Sequence, residues 1–338
     1  MSGTGETDGR TATEVTVEGF EQFYRTELRP VLEELEGRRR RVLQTGAIAA
    51  AAVLGGGALA VTAGLSGASG NALPFLVVGG VVGLIVAIAC VSAASRRYTK
   101  EFKERVIGAI VRFCDPGLHY EPAGSIPRDV FRGSRIFQHS IDRYSGEDCV
   151  RGTVGATAVE FSELHAEYKT TSTDSKGHTQ THWHTIFRGL FFTADFNKHF
   201  RTATVVLPDV AERAFGWLGQ KLQGLSIGRA DLVKLEDPEF EREFVVYGED
   251  QVEARYILST SLMQRILEFR RRAGCRISLS FVGSRVYVAV PCSRNMFEPR
   301  LLRGAPDLKA ATEYLRDLQF ALGIVEDLDL NTRIWSKQ

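Results

Sequence analysis

Three hydropathy rhythms follow one another along this chain. Apolar residues first recur at helical spacing: Val17, Phe20, Phe23, Tyr24, Leu28, Val31, Leu32 and Leu35. That spacing predicts an amphipathic helix. Pro30 interrupts it, lacking an N–H and crowding the carbonyl four residues earlier, so a kink or split is expected near Leu28. The rhythm then gives way to an uncharged run. No charged residue occurs between Arg41 and Arg96.

That run divides into residues 42–65 and 73–94, separated by the turn-forming Ser66-Gly67-Ala68-Ser69-Gly70-Asn71. Each half supplies the roughly 20 apolar residues needed to cross about 30 Å of hydrocarbon. Pro74 stands near the start of the second half, where its missing N–H costs little. Lipid offers the backbone no hydrogen-bond partner, so a helical hairpin with a short external turn (66–72) is expected. A buried apolar helix pair in a soluble protein is the alternative. Beyond the run, Tyr98, Phe102, Val106, Ala109, Ile110 and Phe113 restore the helical rhythm until Asp115-Pro116-Gly117 stops it. The segments 17–41 and 96–114 are expected to pack together as a short stalk.

A third rhythm, with period two, fills much of the rest. Residues 150–154 and 156–168 read as strands. In the second, Val159 and Phe161 share one parity while Leu164, Ala166 and Tyr168 share the other, which predicts a bulge or bend near Ser162-Glu163. Thr170 to Thr181 lacks large apolar residues and reads as a hairpin tip. After it, Trp183, Phe187 and Phe191 alternate with Ile186, Leu190 and Phe192, as in a strand buried on both faces. Residues 204–207 would close this sheet. A helix over 212–222 and strands at 231–235 and 244–247 follow, the strands separated by an Asp237-Pro238 turn. Residues 259–272 form a further helix, with Ser261 and Gln264 as a capping box and Gly274 as terminator. A hairpin turns at Gly283-Ser284, and a last amphipathic helix spans 307–322. The expected fold class is a transmembrane helical hairpin plus an α+β soluble domain with mostly antiparallel sheet. Residues 1–16, nearly devoid of apolar side chains, are expected to be disordered. Residues 120–338 form the domain, open to division into two subdomains near 208–230.

Charge sets the orientation. Arg38, Arg39, Arg40 and Arg41 precede the first span; Arg96, Arg97, Lys100 and Lys103 follow the second. Cationic flanks resist translocation, so both termini are expected in the cytoplasm and only the turn outside. The same side chains would meet anionic head groups at the membrane interface. Ala47, Ala51 and Gly55, and Gly79 with Gly83, are small-residue pairs expected to pack the helices. The net charge of +1 carries no basic footprint for nucleic acid. Five cysteines without a C-x-x-C suit a reducing compartment.

Several motifs together resemble an uncharacterised bacterial two-span membrane-protein family, domain of unknown function 3137. They include Tyr144-x-Gly146-Glu147-Asp148-x-Val150-x-Gly152, Phe161-Ser162-Glu163-Leu164, Phe187-Arg188-Gly189-Leu190-Phe191-Phe192, Leu235-Glu236-Asp237-Pro238-x-Phe240, Gln251-x-Glu253-Ala254-Arg255-Tyr256 and Arg333-Ile334-Trp335. The resemblance implies the topology and a bacterial inner membrane. It implies no activity and no cofactor.

Candidate chemistry is sparse. Gly224-Leu225-Ser226-Ile227-Gly228 matches the nucleophile-elbow pattern, yet a helix precedes it and a strand follows, the reverse of what an elbow needs. His178, His182 and His184 surround the hairpin tip and could share a metal with Glu163 or His165, or stand as exposed polar residues. Glu147 and Asp148 adjoin Gly146 and suit a turn as well as acid–base chemistry. The function expected is a membrane-anchored cytoplasmic scaffold or binding protein, with membrane lipids and a protein partner or its own copies as ligands. The alternative is a membrane-tethered enzyme using the carboxylates and histidines of the first sheet.

Overall fold

The computed structural model describes residues 17–65, 73–173, 177–196, 198–209, 231–300, 304 and 307–331. The expected disordered N-terminus (1–16), external turn (66–72), helix over 212–222, Gly-x-Ser-x-Gly motif and terminal Arg333-Ile334-Trp335 lie outside the described residues. The chain divides into two compact units: residues 16–109 with 297–313, and the sheet-bearing remainder.

The first unit contains α1 (Val17–Phe23), α2 (Arg29–Leu65) and α3 (Leu73–Phe102). Between α1 and α2 the helix widens into a π turn, Tyr24–Leu28, where the Arg29 N–H bonds the Tyr24 carbonyl. Pro30 explains the widening: the looser turn relieves the clash between its ring and the preceding turn without breaking the helix. A second π turn, Lys103–Ile107, follows α3 and leads into α4 (Gly108–Cys114). Phe20, Leu28, Leu32 and Leu35 are buried with Tyr98, Phe102 and Val106. Arg105 Nη2 lies 2.6 Å from Glu34 Oε2, and Arg38 pairs with Glu101, so α2 and the helix leaving α3 run antiparallel.

Further along the pair, the core disappears. Ile48 is 69 % and Leu54 74 % exposed on α2; Val81 is 52 % and Ile85 61 % exposed on α3. The helical stretch Gly80–Cys114 is long and apolar enough to cross a membrane, and none of its most apolar window is buried in protein. Ala47 and Ala51 are exposed, and a Cβ added to Gly55 or Gly83 would meet nothing within 4 Å. Gly79 lies in α3, but its surroundings are outside the described residues.

The second unit is built on one antiparallel nine-stranded sheet in the order β1-β2-β3-β4-β9-β8-β5-β7-β6. The strands are β1 (His119–Glu121), β2 (Arg143–Val154), β3 (Thr157–Thr173), β4 (Thr179–Asp195), β5 (Thr204–Pro208), β6 (Asp231–Val233), β7 (Phe244–Gly248), β8 (Ser278–Val282) and β9 (Arg285–Pro291). β5 pairs with both β7 and β8, so strands that precede and follow residues 209–230 in sequence belong to one sheet. Instead of closing a first sheet, 204–208 sits between two strands that come later in sequence. Helices α5 (Arg128–Gly133), α6 (Pro238–Glu243), α7 (Gln251–Ile257), α8 (Thr260–Ala273) and α9 (Leu308–Asp327) complete the described elements.

One face of the sheet buries Leu164, Ala166, Phe187, Phe191, Tyr287 and Ala289 against Ile126, Phe131, Ile136 and Ile141. Residues of the other parity, Phe161, Leu190, Phe192 and Val288, are buried too. Coverage of both faces explains the parity change in β3, which needs no bulge of its own. The extra residue belongs to β2: Glu147 pairs with Glu163 and Val150 with Phe161, which places the bulge around Asp148 at φ +59°. A second bulge lies in β4, where Phe187 faces Ala166 but Thr185 faces Glu167.

Three local expectations are corrected. Residues 170–173 and 179–181 are paired strand out to Thr173 and Thr179, so the hairpin tip is far shorter than its polar sequence suggested. Asp237 caps α6 by accepting from the Glu239 and Phe240 N–H groups, with Pro238 in the first helical position. Ser259, not Ser261, caps α8, and Gln264 instead reaches Asp237 Oδ2 at 3.0 Å. Gly274, at φ +64°, ends α8 as expected.

Candidate functional site

β9 pairs with β4 only over Gly189–Asp195. The Cys292 N–H donates to the Arg188 carbonyl at 3.0 Å, and beyond that point residues 179–187 of β4 have no strand neighbour on this side among the described residues. A cleft of about 420 Å³ opens beside this free edge. Its walls are Thr185, Ile186, Phe187 and Arg188 of β4, Ala289 and Pro291 of β9, Cys292 and Ser293 just beyond it, Ser278 and Phe137. The β4 bulge at Ile186 turns the strand where the cleft begins, as bulges commonly re-aim side chains near sites.

The rim is built rather than loose. Gly189, at φ +151°, lets β4 approach β9 so closely that an added Cβ would lie 2.2 Å from the Val290 oxygen. Arg188 Nη2 donates to Asn295 Oδ1 at 3.3 Å, and Asn295 Nδ2 donates to Glu147 Oε1 at 3.2 Å. The Met296 N–H donates to Glu163 Oε1 at 2.6 Å. The segment after β9 is thus tied to β4, β2 and β3 in turn.

Behind this segment lies a carboxylate cluster. Glu147 and Glu163 are direct cross-strand partners, and the fully buried Asp148 accepts the Tyr120 hydroxyl. Burial first, then the charges of Asp148, Glu147 and Glu163, push the Tyr120 phenol far above its ordinary range. These carboxylates accept hydrogen bonds from backbone and side chains of the fold. None of Tyr120, Asp148 or Glu163 lines the cleft.

The histidines do not join them. His184 pairs with Tyr168 on β3, whereas Glu163 pairs with Leu190, six positions further along β4. At about 3.3 Å per residue that separation, near 20 Å, rules out a shared ion for His184 and Glu163. His165 faces Glu167 at 3.8 Å. His184 Nε2 meets Thr170 Oγ1 at 2.9 Å, and its ring stacks on Tyr168, which stacks in turn on His139 with centroids 4.4 Å apart. His178 and His182 are exposed. No group of metal-ligating residues occurs among the described residues.

The basic collar also divides. Arg39 is buried against Glu36 at 2.7 Å, Arg40 shares that carboxylate at 2.9 Å, and Arg38 binds Glu101. Lys103, only 3 % exposed, sits 2.9 Å from Glu298. All four form ion pairs within their unit; Arg39 and Lys103 are buried in doing so, whereas Arg38 and Arg40 stay largely exposed. Lys100 lies 3.8 Å from Glu104. Arg41, Arg96 and Arg97 remain exposed at the edge of the apolar stretch, with no ion pair among the described residues.

The fold therefore defines an α+β protein with a largely antiparallel sheet and, among the described residues, one helix long and apolar enough to cross a membrane. Residues 185–330 match the family model described as "Protein of unknown function (DUF3137)". No curated protein matches it. Among solved structures, the chain is similar to the mycobacterial trehalose monomycolate transport factor A, TtfA, at 12% identity and a TM-score of 0.33. That likeness covers 65% of this chain and 96% of that one. Similarity at this level carries no inference about function.

Proposed function

We propose that this protein is a membrane-anchored binding protein. Helices α2 and α3 cross the inner membrane as a two-span hairpin, both termini stay in the cytoplasm, and the sheet unit presents its cleft to a partner. The observation that carries the anchor is the apolar exposure of α2 and α3 beyond the ion-paired stalk, from Ile48 to Leu54 and from Val81 to Ile85. Water would oppose that surface at about 25 cal/mol per Å², whereas lipid accepts it. Arg41, Arg96 and Arg97 stand where such a hairpin meets the cytoplasmic head groups.

The binding part of the proposal rests on the cleft. A concave, mostly apolar site with a few polar groups at its rim is the usual form of a recognition pocket. Photocrosslinking from a benzoylphenylalanine at Ile186 in growing cells tests it directly. A discrete adduct at Ile186, absent when the probe is moved to the solvent-facing Val252, supports binding at the cleft. Equal labelling at both positions contradicts it.

A further inference from the structure

Resting on that reading, we infer that the partner enters as an extended, acidic peptide segment that adds a strand to the free edge of β4. Three observations converge. Among the described residues, 179–187 of β4 have a strand partner, β3, on one side only, and an unpaired edge offers a row of backbone donors and acceptors to an incoming strand. The cleft lies along the same edge, lined by Ile186, Phe187, Phe137 and Pro291, and a side chain of an added strand would project there. Main-chain pairing then supplies affinity, and the cleft selects an apolar residue.

Charge names the chemistry of the segment. Between Thr179 and Ala194 no acidic residue occurs. Lys169, exposed on the neighbouring strand, has no ion pair among the described residues, and Arg188 at the cleft rim bonds only the neutral Asn295 amide. Nearby carboxylates are already engaged: Asp142 Oδ2 accepts the Lys169 N–H at 2.8 Å, and Glu167 pairs with Arg143 at 3.1 Å. Trp183, 42 % exposed on the same stretch, packs under the Arg143 guanidinium at 3.9 Å and offers an aromatic surface beside the edge. An incoming strand with alternate apolar residues and flanking Asp or Glu would satisfy both cations and the cleft. A basic segment would meet repulsion.

The test pans short random peptides displayed on phage against the full chain reconstituted in lipid nanodiscs, and follows the winners by hydrogen exchange. The expected winners alternate apolar and polar residues, carry Asp or Glu and lack proline. They slow amide exchange across residues 179–187, and the double variant K169E/R188E weakens them by roughly tenfold or more, the scale of losing two favourable charge contacts. Thermal unfolding of that variant checks that it remains folded. Basic or proline-rich winners, or protection that falls elsewhere in the sheet unit, overturn strand addition while leaving a binding role in place. Failure of any sequence to enrich, together with no adduct from the Ile186 probe, overturns both.

Discussion

The Glu163 carboxylate, at the middle of β3, accepts the backbone N–H of Met296, which lies beyond the end of β9. This bond closes the loop that shapes one wall of the cleft. Replacing Glu163 with Ala leaves a half-buried N–H without its charged acceptor and should cost about 1–3 kcal/mol. Glu163→Gln keeps an oxygen acceptor and should cost less than half of that. Thermal unfolding of the purified chain distinguishes the two, and equal losses would mean that the bond contributes little.

Gly189 occupies a backbone conformation that side chains rarely adopt, and its neighbours leave no room: an added Cβ would sit 2.5 Å from the Cys292 nitrogen. Gly189→Ala should therefore destabilise the sheet unit by roughly 2–4 kcal/mol. Amide exchange should rise first at Arg188, Gly189, Val290 and Cys292. A variant as stable as the parent would show that β4 and β9 approach less closely than described.

Phe131 is buried at the centre of a ring cluster, stacked on Phe137 at 4.9 Å and tilted against Phe191 at 5.0 Å. Phe131→Ala removes the support for Phe137, which lines the cleft. The expected loss is about 3–5 kcal/mol, typical of emptying an aromatic site. Denaturant titration followed by aromatic circular dichroism measures it.

Glu253 is the clearest source of acid sensitivity. Burial alone would raise its pKa, but hydrogen bonds from Thr202 and from the N–H groups of Arg201 and Thr202 outweigh it, and the net shift is downward. A carboxylate with a depressed folded pKa stabilises above its unfolded value, here near 4.5, and that contribution is lost as pH falls through the folded pKa. The melting temperature should therefore drop as pH is lowered beneath about 4.5, and Glu253→Gln should flatten this limb. An unchanged acid limb in the variant would assign the sensitivity to other groups.

Local grammar was legible and long-range pairing was not. The Gly283-Ser284 hairpin, the Gly274 helix stop and the Asp115–Gly117 terminator are each set by a few neighbouring residues, so the sequence predicts them directly. The bulge lies in β2, one strand away from the parity change that signals it. Side-chain parity in β3 shows only that something changes at Ser162, while the extra residue sits across the ladder at Asp148. Thr170 to Thr181 reads as loop because it is polar, yet cross-strand pairing with its own partner extends the ladder to Thr173 and Thr179. Lys103 reads as interfacial because lysine follows an apolar span, but Glu298, almost 200 residues away in sequence, draws it inward. The cleft had no sequence signal. It depends on where β9 stops pairing with β4, a boundary fixed by Gly189 and by the turn at Cys292.

Membrane topology measured with paired reporters is the most direct test of the anchor. Green fluorescent protein fused after Gln338 should fluoresce, and alkaline phosphatase at the same point should be inactive. Fusions after Gly70 should give the opposite pair. Phosphatase activity from the C-terminal fusion, or recovery of the full chain in the membrane-free supernatant, would contradict a two-span anchor with its sheet unit in the cytoplasm.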